Sequence, residues 1–179
     1  PKGYEISISG EGKKMAESFN SLRFALLLSL ILVFMLLASE FESLWQPFII
    51  FITVPLSLIG VSFILFFTHT PLNVVSFLGL IMLGGIVVNN GIVLVDYINF
   101  LRREKRIKDL IEVLKIASAR RIRPILMTSL TTILGLLPLS LGIGEAQLMQ
   151  SLGIVTIGGL LSSTFLTPVV LPIIYYYFE

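Results

Sequence analysis

The sequence predicts an all-α integral membrane protein: a bundle of five transmembrane helices, preceded by a short extramembrane strand and carrying one cytoplasmic amphipathic helix. Three observations lead there. Of the 179 residues, 55% are hydrophobic and only 13% charged, whereas a soluble domain carries about a quarter charged residues. Mean hydropathy is +0.95. The apolar residues are also gathered into five runs, each near the roughly 20 residues that a helical crossing requires.

Residues 1–20 are the polar opening. Tyr4, Ile6 and Ile8 alternate with Glu5, Ser7 and Ser9 as in a half-buried strand, which Gly10 is expected to end. A lone strand has no pairing partner, so it is expected to belong to an extramembrane domain encoded upstream. Glu11 to Asn20, with Met15, Ala16 and Phe19 on one side, is a helical lead-in. The bundle proper, residues 21–179, has apolar runs at Leu22 to Ala38, Pro47 to Phe67, Val74 to Tyr97, Pro124 to Leu141 and Leu152 to Tyr177. Glu40 to Gln46 is a tight loop with Pro47 at a helix start; Thr68 to Asn73 and Gly142 to Gln150 are short connections. Between the third and fourth runs lies a charged segment, about 102–121. Its apolar residues Ile107, Leu110, Ile111, Leu114 and Ala117 recur at helical spacing, which predicts an amphipathic helix along the membrane surface. Pro55, Pro138, Pro168 and Pro172 are expected to kink their helices.

Charge sets the orientation. Nine of the 13 Lys and Arg residues (Arg102, Arg103, Lys105, Arg106, Lys108, Lys115, Arg120, Arg121, Arg123) fall between the third and fourth spans. That loop is expected in the cytoplasm, with the N-terminus outside and Glu179 inside. The net charge of +2 is too small to argue for nucleic acid, and the pI near 9.1 reflects the one basic loop. With no cysteine and a single histidine, disulfides, thiol nucleophiles and multi-His metal sites are excluded. H-E-x-x-H, G-x-S-x-G and phosphate-loop patterns are absent, so an enzyme is not expected. No basic segment with an early apolar run resembles a signal peptide, and a chain beginning at Pro1 reads as part of a longer one.

Polar atoms in hydrocarbon need partners, which makes mid-span polar residues the pointers to function. Asn89 and Asn90 fall near the middle of the third span, and Gly85, Asn89 and Asp96 share one face. The asparagines suit either a functional site or interhelical packing; Asp96, near the basic loop, suits either a relay or an interfacial pair with Arg102 or Arg103. On the fourth span Thr128, Thr132 and Gly135 form a stripe with Arg121 below it. Those threonines can instead bond their own backbone at i−4, and Arg121 and Arg123 can snorkel. On the fifth span Gly158 with Ser162 and Gly159 with Ser163 are small-xxx-small pairs, which permit close helix packing, as does Gly85 on the third.

The strings SEFESLWQPFIIFITVPLSLIG (Ser39 to Gly60), GGIVVNNGIVLVDYIN (Gly84 to Asn99) and RRIRPILMTSLTTILGLLPL (Arg120 to Leu139) resemble the C-terminal membrane part of resistance-nodulation-division (RND) transporters, of the hydrophobe/amphiphile efflux branch. The likeness runs in order over essentially the whole chain. It implies a proton-driven antiporter of twelve spans in two pseudo-symmetric halves in the bacterial inner membrane, with periplasmic porter domains and a trimeric assembly. A periplasmic adaptor and an outer-membrane channel are implied partners in a double-membraned bacterium. Residues 1–20 would then be the tail of a porter domain and the lead-in. No cofactor is implied beyond the proton-motive force, with sodium coupling an alternative. In the family a lysine of the third span here, and a threonine and an arginine of the fourth, face two aspartates of the other half. Thr128 matches the threonine, Arg121 the arginine, and Asn89 stands in the lysine position. Asparagine is neutral, so Asn89, Asn90 and Thr128 would act as neutral partners. Two other readings stand beside this one. One is the protein-export auxiliary subunits of the same superfamily, against which the SEFESLWQP loop and TVPLSLIG weigh. The other is a truncated, non-transporting scaffold fragment, which the absence of an upstream porter domain and matching half would reveal.

Overall fold

The computed structural model describes residues 9–104 and 109–178. Six α-helices follow one another: α1 (Ser9–Glu40), α2 (Trp45–Phe51), α3 (Thr53–Thr68), α4 (Val74–Glu104), α5 (Leu110–Ser140) and α6 (Gln150–Phe178), with a 3₁₀ turn at Gly144–Met149 before the last. Five segments are long and apolar enough to cross a membrane: Gly12–Glu40, Trp45–Thr68, Val74–Arg103, Leu110–Ser140 and Gln147–Phe178. They contain the five apolar runs, except that the fourth span stops at Ser140, one residue short of Leu141.

The second span is two helices with a joint at Ile52. Pro55 explains it: its ring meets the carbonyl four residues back, at Phe51, and supplies no N–H to it. Locally the ladder tightens, with the Ile52 amide donating to the Ile49 carbonyl (3.3 Å) and the Thr53 hydroxyl to the Ile50 carbonyl (2.7 Å). Pro138 lies inside α5, as does Pro124, and Pro168 and Pro172 lie inside α6, with neither helix interrupted.

Helix ends follow local chemistry. Asn73 caps α4, its Oδ1 accepting from the Ser76 amide (2.7 Å), and its Nδ2 donates to Ser151 at the start of α6 (3.2 Å). Asp109 caps α5 by accepting from the Ile111 amide (3.1 Å). Gly142 closes α5 at φ +63°, a conformation that costs glycine least.

Packing centres on α6, which lies against α3, α4 and α5. Its small residues allow this. A Cβ on Gly60 of α3 would overlap the Gly158 carbonyl and Ser162, and one on Gly158 would overlap Ile64 and come within 3.0 Å of the Gly60 carbonyl. A Cβ on Gly159 would collide with Leu83 of α4, and one on Gly153 would lie 2.9 Å from the Ser140 amide of α5. Ser162 donates to the Leu56 carbonyl across α3 and α6 (2.9 Å), while Ser163 turns back to its own helix, donating to the Leu160 carbonyl (3.2 Å). The Thr164 and Ser129 hydroxyls, 2.7 Å apart, join α6 to α5.

Two expectations need correcting. The amphipathic helix of residues 102–121 is not a separate surface element: α4 continues through Glu104, and α5 runs from Leu110 into the fourth span without interruption. Nothing between 110 and 123 breaks a helix, and Pro124 leaves only the Arg120 carbonyl without its helical partner. The apolar side is used inside the bundle, with Val113, Leu114 and Ala117 buried beside Leu101 and Tyr175, although Ile111 is exposed. At the other terminus, Ser9, expected as the last strand residue, already begins α1, so Gly10 lies within the helix instead of marking the boundary. The expected strand Tyr4 to Ser9 otherwise lies outside the described residues, as do Lys105 to Lys108.

Gly158→Val is expected to lower thermal stability in detergent by the equivalent of about 1–3 kcal/mol, the usual cost of overpacking a tight contact. Gly158→Ala should fall between it and the wild type.

Candidate functional site

Adjacent residues on a helix point about 100° apart, from 3.6 residues per turn, and α4 uses this to separate its two asparagines. Asn90 faces inward, 5% exposed, with its Nδ2 buried and without a hydrogen-bond partner among the described residues. Asn89 faces outward and is exposed, as are Gly85 and Asp96 on the same stripe. Gly85 thus departs from the packing expected of it: a Cβ there would meet nothing within 4 Å.

Below Asn89, at the basic end, Asp96 and Arg121 line one cavity of about 530 Å³ with Glu40, Glu42, Asn99 and Arg103. Arg103, one of the two expected partners of Asp96, lines the same cavity. Arg102 turns elsewhere, donating to the Tyr175 hydroxyl at 3.3 Å. Arg121 is half-buried. Its guanidinium carbon lies 4.5 Å from the centroid of the Tyr97 ring, and its Nε is buried with no hydrogen-bond acceptor among the described residues.

This cavity fixes the register of the open surface above it. α4 runs toward the basic end and α5 away from it. Two turns back along α4 from Asp96 is Asn89; two turns on along α5 from Arg121 is Thr128. Both steps keep to one face and rise about 10 Å, so Asn89 and Thr128 share a layer above the Asp96 and Arg121 layer. Both are exposed. Thr132 donates to the Thr128 carbonyl (2.9 Å), the self-satisfying i−4 bond anticipated for these threonines, while Thr128 does the same one residue nearer, to the Ile125 carbonyl (3.0 Å). Gly135, two turns further on, has open space over its Cα. The structure therefore brings Asn89, Thr128, Asp96 and Arg121 to one surface and places Asn90 inside.

A hydrogen-bonded chain at the basic end escaped the sequence reading. The Asn99 Nδ2 donates to Gln46 Oε1 (2.8 Å), the Gln46 Nε2 donates back to Asn99 Oδ1 (3.3 Å), and the Tyr175 hydroxyl donates to the same Oδ1 (3.0 Å). It ties the start of α2 to α4 and α6. Each of these residues stands at a helix end, where sequence reasoning assigns polar groups to the membrane interface; only their convergence in space reveals the network. Among the described residues no group of three or more His, Asp or Glu is placed to hold a metal ion.

Tyr175→Phe, which removes the Arg102 and Asn99 bonds, is expected to cost about 0.6 kcal/mol and no more than about 1.7, the measured range for membrane side-chain bonds. Asn99→Leu should cost more, because it removes both bonds that Gln46 makes to Asn99 and the acceptor of the Tyr175 hydroxyl. Thermal unfolding of the two variants in detergent gives the order.

A model of the AcrB/AcrD/AcrF family matches residues 1–179. The swarming motility protein SwrC of Bacillus subtilis is 36% identical over 177 residues, covering 98% of this chain and 17% of SwrC. The cobalt-zinc-cadmium resistance protein CzcA of Cupriavidus metallidurans is 33% identical, over 98% of this chain and 16% of its own length. The multidrug resistance protein MdtC of Proteus mirabilis is 34% identical, over all of this chain and 17% of its own. A crystal structure of a heavy metal efflux pump superposes with a TM-score of 0.83 at 34% identity, covering 94% of this chain and 16% of the pump. The chain thus spans about a sixth of the length of these relatives.

Proposed function

The chain belongs to the AcrB/AcrD/AcrF family of RND efflux transporters, and on that premise we propose that it is the C-terminal membrane module of a proton-driven efflux antiporter. The observation that carries this reading is the open polar face of Asn89 and Thr128 above Asp96 and Arg121. Polar side chains on a membrane helix are costly against lipid. A surface of this kind is suited to a second helical half, whose carboxylates would be the groups that gain and lose protons.

In this mechanism Arg121 supplies a permanent positive charge near the face, and Asn89 and Thr128 supply neutral hydrogen-bonding groups. An ionised carboxylate accepts hydrogen bonds only, whereas a protonated one also donates. The Asn89 amide can serve both states by turning its NH₂ or its oxygen toward the carboxyl, so each protonation change favours a different pairing across the interface. Such a change biases helix packing between two arrangements. The module then couples ion movement to conformation without touching cargo. The relatives support this division: a cobalt-zinc-cadmium resistance protein and a multidrug resistance protein resemble the chain equally, at 33% and 34% identity. On this reading, what they share in this segment is the coupling rather than the choice of substrate.

The same reading places the module in a bacterial inner membrane with its basic loop and C-terminus in the cytoplasm, following the distribution of Lys and Arg. Its partners are the other half and porter domain of the same pump, in a trimer, with an adaptor and outer-membrane channel where the bacterium has two membranes. A hydrophobic or drug-like cargo is the finer part of the proposal.

The test uses the full-length transporter in proteoliposomes, with proton movement and substrate flux recorded together under an imposed proton or sodium gradient. Asn89→Ala and Thr128→Ala are expected to reduce proton-driven flux by at least tenfold, about the effect of a 1.4 kcal/mol loss, while assembly is retained. Asp96→Asn should be milder. Unchanged flux in Asn89→Ala would remove the open face from the mechanism, and flux driven by sodium alone would replace the coupling ion.

A further inference from the structure

Arg121 is held from an unusual direction. Its Nε lies buried without a hydrogen-bond acceptor among the described residues, and the contact that locates its guanidinium is the face of the Tyr97 ring, 4.5 Å away. An aromatic face attracts a guanidinium through its quadrupole and leaves the N–H edges free for other partners. Tyr97 is itself fixed on both sides. Its ring stacks on Phe100 with centroids 5.9 Å apart and planes 17° from parallel, and its hydroxyl accepts a hydrogen bond from Arg120 Nη1 at 3.1 Å.

The two neighbouring arginines are therefore sorted by one side chain. Arg120 is bound to the rim of the ring and exposed; Arg121 lies over its face, half-buried, at the wall of the polar cavity. The charged groups around that cavity are Glu40 at the end of α1, Glu42 just past it, Asp96 and Arg103 on α4, and Arg121 on α5. We propose that Tyr97 is a positioning residue for coupling: its ring face holds the Arg121 guanidinium at the wall of the polar cavity, toward the open surface. This role rests on Arg121 taking part in coupling, as proposed above.

The face of the ring, not its hydroxyl, is what the role requires. In the full-length transporter Tyr97→Leu is expected to lower proton-driven flux by about tenfold, within the range that loss of a partly desolvated cation–π contact gives. Substrate exchange between equal pools, which needs no proton gradient, should stay near the wild-type rate. Tyr97→Phe and Tyr97→Trp should restore driven flux to within about twofold of the wild type, since both keep an aromatic face, and Arg120→Ala should do the same. Wild-type driven flux in Tyr97→Leu, with Arg121→Ala inactive, would overturn the role of Tyr97 and leave the proposed function standing. Wild-type driven flux in Arg121→Ala would instead overturn the part given to Arg121, and that of Tyr97 with it. If Tyr97→Phe is as impaired as Tyr97→Leu, the hydroxyl is the active feature and the proposal falls. Should Tyr97→Leu not assemble, Tyr97→Met fills similar volume without a ring face and is expected to show the same loss; failure of both to assemble would make Tyr97 a packing residue and also overturn the role.

Discussion

Helices in a membrane gain little from hiding apolar surface, because lipid tails are as apolar as leucine; they associate when their backbones can come close. That constraint organises this bundle. Gly153, Gly158 and Gly159 let α5, α3 and α4 respectively approach α6 at distances that a methyl group would prevent. Leu83 enters the space over Gly159, and Ser162 reaches the α3 backbone only because Gly60 and Gly158 bring the two helices together. Remove the close approach and the interhelical hydrogen bonds lose their geometry.

Once α6 is fixed, the remaining parts fall into two groups. Inside, α4 sends Leu83, Val87, Asn90, Leu94 and Ile98 toward its neighbours, and the network of Gln46, Asn99 and Tyr175 fastens the basic end. Outside, the stripe through Gly85, Asn89 and Asp96 is left with α5's Thr128 and Gly135 beside it. An exposed polar stripe at membrane depth therefore results from the same packing that buries Asn90, and the two cannot be arranged independently.

The spans were legible because composition and run length are direct consequences of bilayer thickness; Pro47 to Phe67 and Leu152 to Tyr177 fall within helices of the expected kind. The open face was legible too, since helical periodicity alone puts Asn89 and Asp96 on one side. Periodicity does not say which side is inward, so the sequence leaves Asn89 and Asn90 alike, and only burial in the bundle separates them. The surface helix of residues 102–121 was misread because amphipathic spacing is the same whether the apolar side meets lipid or, as with Val113 and Ala117, meets α4 and α6. Tyr97 carried no signal at all: an aromatic residue at a span end is ordinary, and its hold on Arg121 shows only once the consecutive helices α4 and α5 are seen packed together.

The divergence of Asn89 and Asn90 also has a hereditary side. A change at position 90 alters a pocket whose walls are built by this segment, so compensation can arise within the same stretch of gene, on α4 or the helices packed against it. Under the proposed function, a change at position 89 alters a surface whose complement lies in the other half of the transporter, so its compensating changes belong there. Neighbouring codons thus evolve under separate pressures, one answering to the architecture of this bundle and the other to whatever lies across from it.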